Sequence, residues 1–239
     1  MKLDILAMGA HPDDVELSCS GTLIKAVQSG KKVGVVDFTR GEMGTRGTVE
    51  QRAREAGEAT KIMGLHVREQ LGFRDGFFLN DEDHQLALMK IIRKYQPDVV
   101  LANAITDRHP DHGRGADLAR EACFKAGLQK IQTKKDSGEL QHAWRPRAVY
   151  HYIQSIPHTP DFIVDVSDAW ETKVNSIKAY KTQFFDPNSD QPETYISSPR
   201  FLEMIISRAI HWGHEIGAQY GEGFTVERTL GVDDVQSLL

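Results

Sequence analysis

Residues 3–30 read LDILAMGAHPDDVELSCSGTLIKAVQSG. An apolar run of strand length ends at Gly9 and Ala10, a histidine and two adjacent aspartates follow, and helical spacing then resumes from Val15 to Gln28. Gly30 is a helix stop in this reading. The stretch is a strand, a polar turn and a helix, which is the opening unit of a sheet with helices on its faces.

The same grammar repeats. Strand-like runs are expected at 3–8, 32–38, 67–71, 97–102, 148–153 and 162–166, with amphipathic helices at 15–28, 49–63, 85–95 and 113–126. Thr48 and Gln51 form a capping box ahead of the second helix. Strands alternating with helices imply an α/β fold with a mostly parallel, doubly wound sheet. Beyond Gly127 the pattern changes: QTKKDSGELQ reads as an exposed excursion, followed by the last two of these strands and helices near 168–182 and 199–218. We take 1–239 as one domain, with 1–127 as its core and 128–239 as a C-terminal elaboration.

Composition bounds the function. The 239 residues are 40% hydrophobic and 26% charged, with a net charge of −5. No window approaches the roughly 18 consecutive apolar residues of a membrane span, and no basic-then-apolar leader opens the chain, so a cytoplasmic address and no membrane partner are expected. An acidic balance without a basic run argues against a nucleic-acid partner. Cys19 and Cys123 are too few for a disulfide framework and are read as reduced, buried residues.

In a doubly wound sheet, ligands bind where strand order reverses, between the first and fourth strands, at their carboxyl ends. The fourth strand runs into NAITDRHPDHGRG, residues 103–115. Two His-Pro-Asp runs about a hundred residues apart are therefore expected to face each other. A catalytic zinc takes three nitrogen or oxygen ligands and leaves a position for water. His11, Asp14 and His112 would supply them. Asp13 is then the candidate general base and His109 the oxyanion donor, with Asp111 or Asp107 orienting its ring. The product of that arrangement is a hydrolase site for an amide or ester carbonyl. His211 and His214 fall away from the apolar face of their helix, Leu202, Ile205, Ile206, Ala209 and Ile216, and are read as surface residues.

GAHPDDVE followed by RHPDHGRG resembles the PIG-L/LmbE family of metal-dependent N-acetylglucosamine deacetylases. FTRGEMGTRGTVEQRAREA, DRHPDHGRGADLAREA, AYKTQF and YGEGF are similar to the branch that deacetylates N-acetylglucosaminyl-malate in bacillithiol biosynthesis. The resemblance covers nearly the whole chain. It implies a Rossmann-like three-layer sandwich, one Zn²⁺ on His11, Asp14 and His112, Asp13 as base, His109 at the oxyanion, an N-acetyl sugar conjugate as substrate and a homo-oligomer, with a hexamer among the forms. DDVE departs from the DDEE or DDEV of many relatives at Val15, which is not an expected ligand.

The substrate is read from the second strand's loop, TRGEMGTRG (39–47). No GxGxxG follows the first strand, which argues against a nicotinamide cofactor. Glu42 is placed to accept sugar hydroxyls. Arg52, on the flank of its helix in the first turn, is placed to hold a carboxylate of the sugar's substituent, the competing reading being a salt bridge to Glu42 or Glu55. Arg108 is a further substrate-binding candidate. Tyr152 is another, although core packing is expected for at least one of Tyr150 and Tyr152. Two other functions stay open: a ferrous oxygenase on the two-histidine, one-carboxylate triad, which leaves Asp13 without a role, and a non-catalytic sugar- or metal-binding module. Iron or manganese can also occupy such a site.

Overall fold

The computed structural model describes residues 1–184 and 189–238. Its centre is a seven-stranded sheet: β1 (Ile5–Gly9), β2 (Val33–Thr39), β3 (Val67–Phe73), β4 (Val99–Ala102), β5 (Ala148–Tyr152), β6 (Phe162–Asp165) and β7 (Gly221–Val226) lie in the order β3-β2-β1-β4-β5-β7-β6. β1 pairs in parallel with β2 and β4, Ile5 lying opposite both Val33 and Val99. The strand order thus reverses between β1 and β4, as expected. β7, to which the sequence reading assigns no element, enters antiparallel between β5 and β6. Its short, glycine-interrupted run GEGFTV carries little strand periodicity.

Alternation on the strands divides the core into two faces. Leu6, Met8, Val36 and Phe38 pack against α4 (Glu82–Tyr95) and α5 (Pro110–Ala126) through Leu88, Ile92, Leu118 and Ala122. Ala7, Val33 and Val35 face the other way, toward Val15, Leu23, Ile24 and Met63 on α1 (Asp14–Ser18), α2 (Ser20–Gln28) and α3 (Val49–Met63). A strand buried on both sides reads as a continuous apolar run, which is why β1 is visible in the sequence. Phe201, Ile205 and Ala209 of α7 (Pro199–Glu215) join Trp170 and Ile177 of α6 (Trp170–Lys178) in a separate cluster. The face of α7 is therefore set by Phe201, Ile205, Ala209 and Trp212, and Ile216 is exposed. His211 and His214 are exposed, as read.

The expected helix 15–28 is two helices. Cys19 leaves helical conformation at φ −139°, and the buried Glu222 of β7 accepts from Gly21 N–H (2.9 Å), Thr22 N–H (2.7 Å) and the Thr22 hydroxyl (2.6 Å). A carboxylate from the far end of the chain caps α2, a long-range contact that local periodicity cannot reveal.

Candidate active site

Both His-Pro-Asp runs are strand-to-helix turns at the carboxyl ends of β1 and β4. His109 is the N-cap of α5, its Nδ1 accepting from Asp111 N–H at 3.2 Å, with Pro110 at the first helical position. Asp13 precedes α1 but makes no side-chain cap bond, so the ordinary reading of an Asp-Asp pair as a cap fails here. Its backbone lies at φ 116°, a left-handed conformation that costs a non-glycine residue about 1–3 kcal/mol. That strain turns the Asp13 carboxylate toward the cavity beside Asp14.

His11, Asp14 and His112 come together. Asp14 Oδ2 is 3.6 Å from His11 Nδ1 and Asp14 Oδ1 is 3.0 Å from His112 Nε2. Each ring's other nitrogen is held from behind: His11 Nε2 by Asp75 (3.0 Å) and Asp111 (3.3 Å), His112 Nδ1 by Asp107 (2.6 Å). Asp111 and Asp107 thus orient His11 and His112, not His109 as expected from the sequence. Asp75 is absent from the sequence-based set. It sits in FRDGF past the carboxyl end of β3, at the same end of the sheet as the two histidine runs but two strands from β1, and that shared end is the available signal.

The donor set suits a divalent cation. Donor atoms 3.0–3.6 Å apart are what about 2.0–2.2 Å bonds to one tetrahedral ion require, and carboxylates behind ligating imidazoles are a usual support. Two triads, His11–His109–His112 and His11–Asp75–Asp111, bring one donor atom from each residue within 4.8 Å of the others, whereas Asp14 meets His11 and His112 through different oxygens, Oδ2 and Oδ1. In the second, Asp75 and Asp111 each already accept a backbone N–H, from Met43 and Gly76, on the side of His11 away from Asp14. Charge points the same way. Burial works against the His112 imidazolium, yet Asp14 and Asp107 carry its pKa to about 9. His11 likewise stands well above the ordinary histidine value, burial being outweighed by Asp111, Asp14 and Asp75. The carboxylates here demand positive charge.

Asp13 is pushed by burial up to about 6, with Arg52 opposing the rise. Burial, then the neighbouring His11 and His112, hold His109 below its usual value, so it is neutral at pH 7. Since Nδ1 accepts from Asp111, Nε2 carries its proton.

These side chains open on a cavity of about 370 Å³, also lined by Met43, Arg46, Arg108, Gln154, Tyr195 and Arg208. Asn103 and Gln154, neither expected, fasten Asp14: Asn103 Nδ2 donates to Oδ2 (3.0 Å) and Gln154 Nε2 to Oδ1 (3.2 Å). Arg108 is exposed and lies over the Tyr195 ring at 4.3 Å. Arg208 is half-buried, donates to the Gln154 carbonyl, and is lowered by desolvation to about 10.

Three substrate assignments change. Tyr152 is fully buried and donates to the Met8 carbonyl at 2.7 Å; it is a core residue. Glu42 does not line the cavity; it accepts from Asp75 N–H (2.8 Å) and Arg40 N–H (3.2 Å), bracing the residue behind His11. Arg52 does border the cavity, but its guanidinium is spent within the protein, on the Pro12 carbonyl (2.9 and 3.2 Å), Asp13 Oδ2 (2.9 Å) and the Gly41 carbonyl (3.3 Å). Neither expected partner of Arg52 is right, and Glu55 is engaged with Thr182. A Cβ on Gly41, at φ +65°, would lie 2.3 Å from Arg52 Nη1, so glycine there makes the slot for the arginine.

A parallel sheet with a cation-suited cluster at its switch point, open to a cavity, defines a hydrolase-type centre. Comparison makes this specific. Residues 6–123 match the family model described as PIG-L: GlcNAc-PI de-N-acetylase. Over 229 residues the sequence is 27% identical to the diacetylchitobiose deacetylase of Thermococcus kodakarensis, covering 92% of this chain and 81% of that one. Over 231 residues it is 26% identical to a probable N-acetyl-alpha-D-glucosaminyl L-malate deacetylase 2 of Bacillus subtilis, covering 90% and 99%. The crystal structure of a conserved protein from Thermus thermophilus superposes with a TM-score of 0.84 at 34% identity, over 97% of this chain and 98% of that one. The molecule is an N-deacetylase. The chain belongs to the PIG-L family. No described helix is long and apolar enough to cross a membrane.

Proposed function

We propose that the protein is a zinc-dependent deacetylase of an N-acetylglucosaminide, with N-acetylglucosaminyl-malate as the substrate. The observation that carries the reading is the pair of histidines turned on Asp14 from the ends of neighbouring strands, each locked from behind by aspartate. His11, Asp14 and His112 would hold the ion. When bound, such an ion polarises a carbonyl and lowers the pKa of bound water from 15.7 to roughly 7.

The chain's own groups do the rest. Asp13 has Oδ2 fixed by Arg52, leaving Oδ1 to take a proton from water as the O–C bond forms. The His109 Nε2–H donates to the developing oxyanion. As the C–N bond breaks, the proton on Asp13 passes to the leaving nitrogen, and acetate and the free amine result. Arg108 and Arg208, which pair with no carboxylate among the described residues, are suited to an anionic substituent on the sugar in place of Arg52. Relatives whose names specify a second sugar and a malate are 27% and 26% identical, and the cavity's cations are what favour the malate reading.

The test is acetate release by zinc-loaded enzyme from N-acetylglucosaminyl-malate, diacetylchitobiose and free N-acetylglucosamine. Release from the malate conjugate at least tenfold faster in kcat/KM supports the full reading. Preference for the neutral disaccharide overturns the malate assignment, and no release from any of them overturns the sugar.

A further inference from the structure

A second cavity, of about 650 Å³, lies away from the catalytic one, and the two share no lining residue. It is enclosed by the last turns of α5, the approach to β5 (Arg145 to Tyr150) and the exit from β7 (Val226 to Gly231). Since β5 runs parallel to β1 and β4, this is the amino end of the sheet, opposite the His-Pro-Asp turns. Cys123 and Val149, from the α5 side of the sheet, give it an apolar floor, and Tyr150 and Val226 also border it. Its rim is not. Five of the lining residues are cationic and only Glu121 and Glu227 are acidic, on a chain whose net charge is −5.

The cations are not equivalent. Arg120 is paired with Asp117 (3.1 Å) and Glu227 (3.3 Å), Lys125 with Glu121 (3.0 Å), and Arg145 donates to the Phe124 carbonyl while stacking on the Phe124 ring. Arg147 and Arg228 pair with no carboxylate among the described residues. Two uncommitted planar forks above an apolar floor match a ligand with a flat apolar body and an anionic group that accepts bidentate hydrogen bonds.

We propose that this cavity is a binding site for a small amphipathic organic anion, an aromatic carboxylate, sulfonate or phosphate, held by Arg147 and Arg228 with its apolar body against Cys123 and Val149. Nothing in deacetylation uses it.

The experiment is a fluorescence titration with 8-anilinonaphthalene-1-sulfonate, alongside neutral N-phenyl-1-naphthylamine, on the full chain. Proteins compared are the wild type, an Arg147→Ala/Arg228→Ala variant and Arg108→Ala, the last altered only at the catalytic cavity. The expected result is a saturable sulfonate site that weakens at least tenfold in the double variant, persists in Arg108→Ala, and takes the neutral dye at least tenfold more weakly. Unchanged binding in the double variant, equal binding of the two dyes, or loss of the site in Arg108→Ala overturns the proposal. So does sedimentation showing that the double variant dissociates an oligomer, which makes this face an interface between copies.

Discussion

Two buried ionic clusters sit a few residues apart, and only one is a candidate for chemistry. In the first, Arg68 grips Asp37 with Nε and Nη2 (2.6 and 2.9 Å) and reaches Glu16 with Nη1 (2.6 Å), while Lys173 meets Glu222 at 2.7 Å. Three carboxylates face two permanent cations there, leaving one negative charge. In the second, Asp13, Asp14, Asp75, Asp107 and Asp111 face Arg52 and Arg114, leaving three. Two imidazoles with raised pKa lie among them. A divalent cation would bring the second cluster to the same residual charge as the first. Burial of charge is common to both; an imbalance facing a cavity belongs to one.

The comparison is broken most directly at the proposed ligands. His112→Ala and Asp14→Ala should each lower turnover by about 10³-fold or more and leave substoichiometric metal, because two donors cannot close a high-affinity site. Full metal content by elemental analysis in either variant would put the ion elsewhere, the His11–Asp75–Asp111 triad being next.

Asp13→Asn should keep its metal and lose on the order of 10²-fold or more in kcat. Its neighbour's variant loses the ion and this one does not. Matching metal contents in the two would erase the division of labour between adjacent aspartates. The residues behind the ring nitrogens come next. Asp107→Ala, which frees His112 Nδ1, should weaken metal affinity by about 10- to 100-fold.

The charge deficit itself can be measured. In metal-free protein at pH 7, His112, at about 9, and His11, well above its ordinary value, both carry protons. A cation must displace them. Binding should then release about two protons per ion, and affinity should fall by about 100-fold for each unit that pH drops below 7. Histidines at their ordinary value near 6.5 would be mostly neutral at pH 7 and release less than one proton between them. Calorimetry in two buffers of different ionisation enthalpy separates these outcomes.

How much of this is visible in the sequence follows from the range of each interaction. The strand β1 and the two His-Pro-Asp runs are legible because apolar continuity and residue type are local, and the switch-point rule then brings His11 and His112 to one crevice. Asp75 reaches the crevice from the carboxyl end of β3, two strands away from β1, so the switch-point rule does not single it out. The fate of Arg52 is not legible: it is expected on the flank of α3 but lies on the buried face with Ala56, Ala59 and Met63, and the acceptors that consume it, Pro12 and Gly41 carbonyls, are backbone groups presented by two other turns. Tyr152 and Glu42 fail similarly, one through a hydrogen bond across the sheet to Met8, the other through a turn-to-turn contact with Asp75. The break at Cys19 requires a capping carboxylate about two hundred residues away.

The smallest expected effect on turnover comes from the balanced cluster, and it tests whether the two clusters are separable. Lys173 is 2% exposed and donates to the Glu16 and Leu17 carbonyls (both 3.1 Å) as well as to Glu222. Lys173→Met keeps the aliphatic length and deletes the charge. It leaves Glu222 buried with only the α2 N–H groups and the Thr22 hydroxyl, and leaves the Leu17 carbonyl without its donor, while the Glu16 carbonyl keeps the Ser20 hydroxyl at 2.7 Å. Removing one partner of a buried pair costs about 3–5 kcal/mol, which for a chain of this size is a fall in Tm of about 10 °C. The metal donors do not depend on that lysine: His11 and His112 are fixed by Asp75, Asp111 and Asp107, and Asp14 by Asn103 and Gln154. Assayed well below its melting temperature, Lys173→Met should therefore hold kcat and metal content within about twofold of wild type. A large loss of either would mean that α1, which carries Glu16 and Leu17 only two and three residues beyond Asp14, transmits the state of the balanced cluster to the other, and that buried charge and chemistry here form one network.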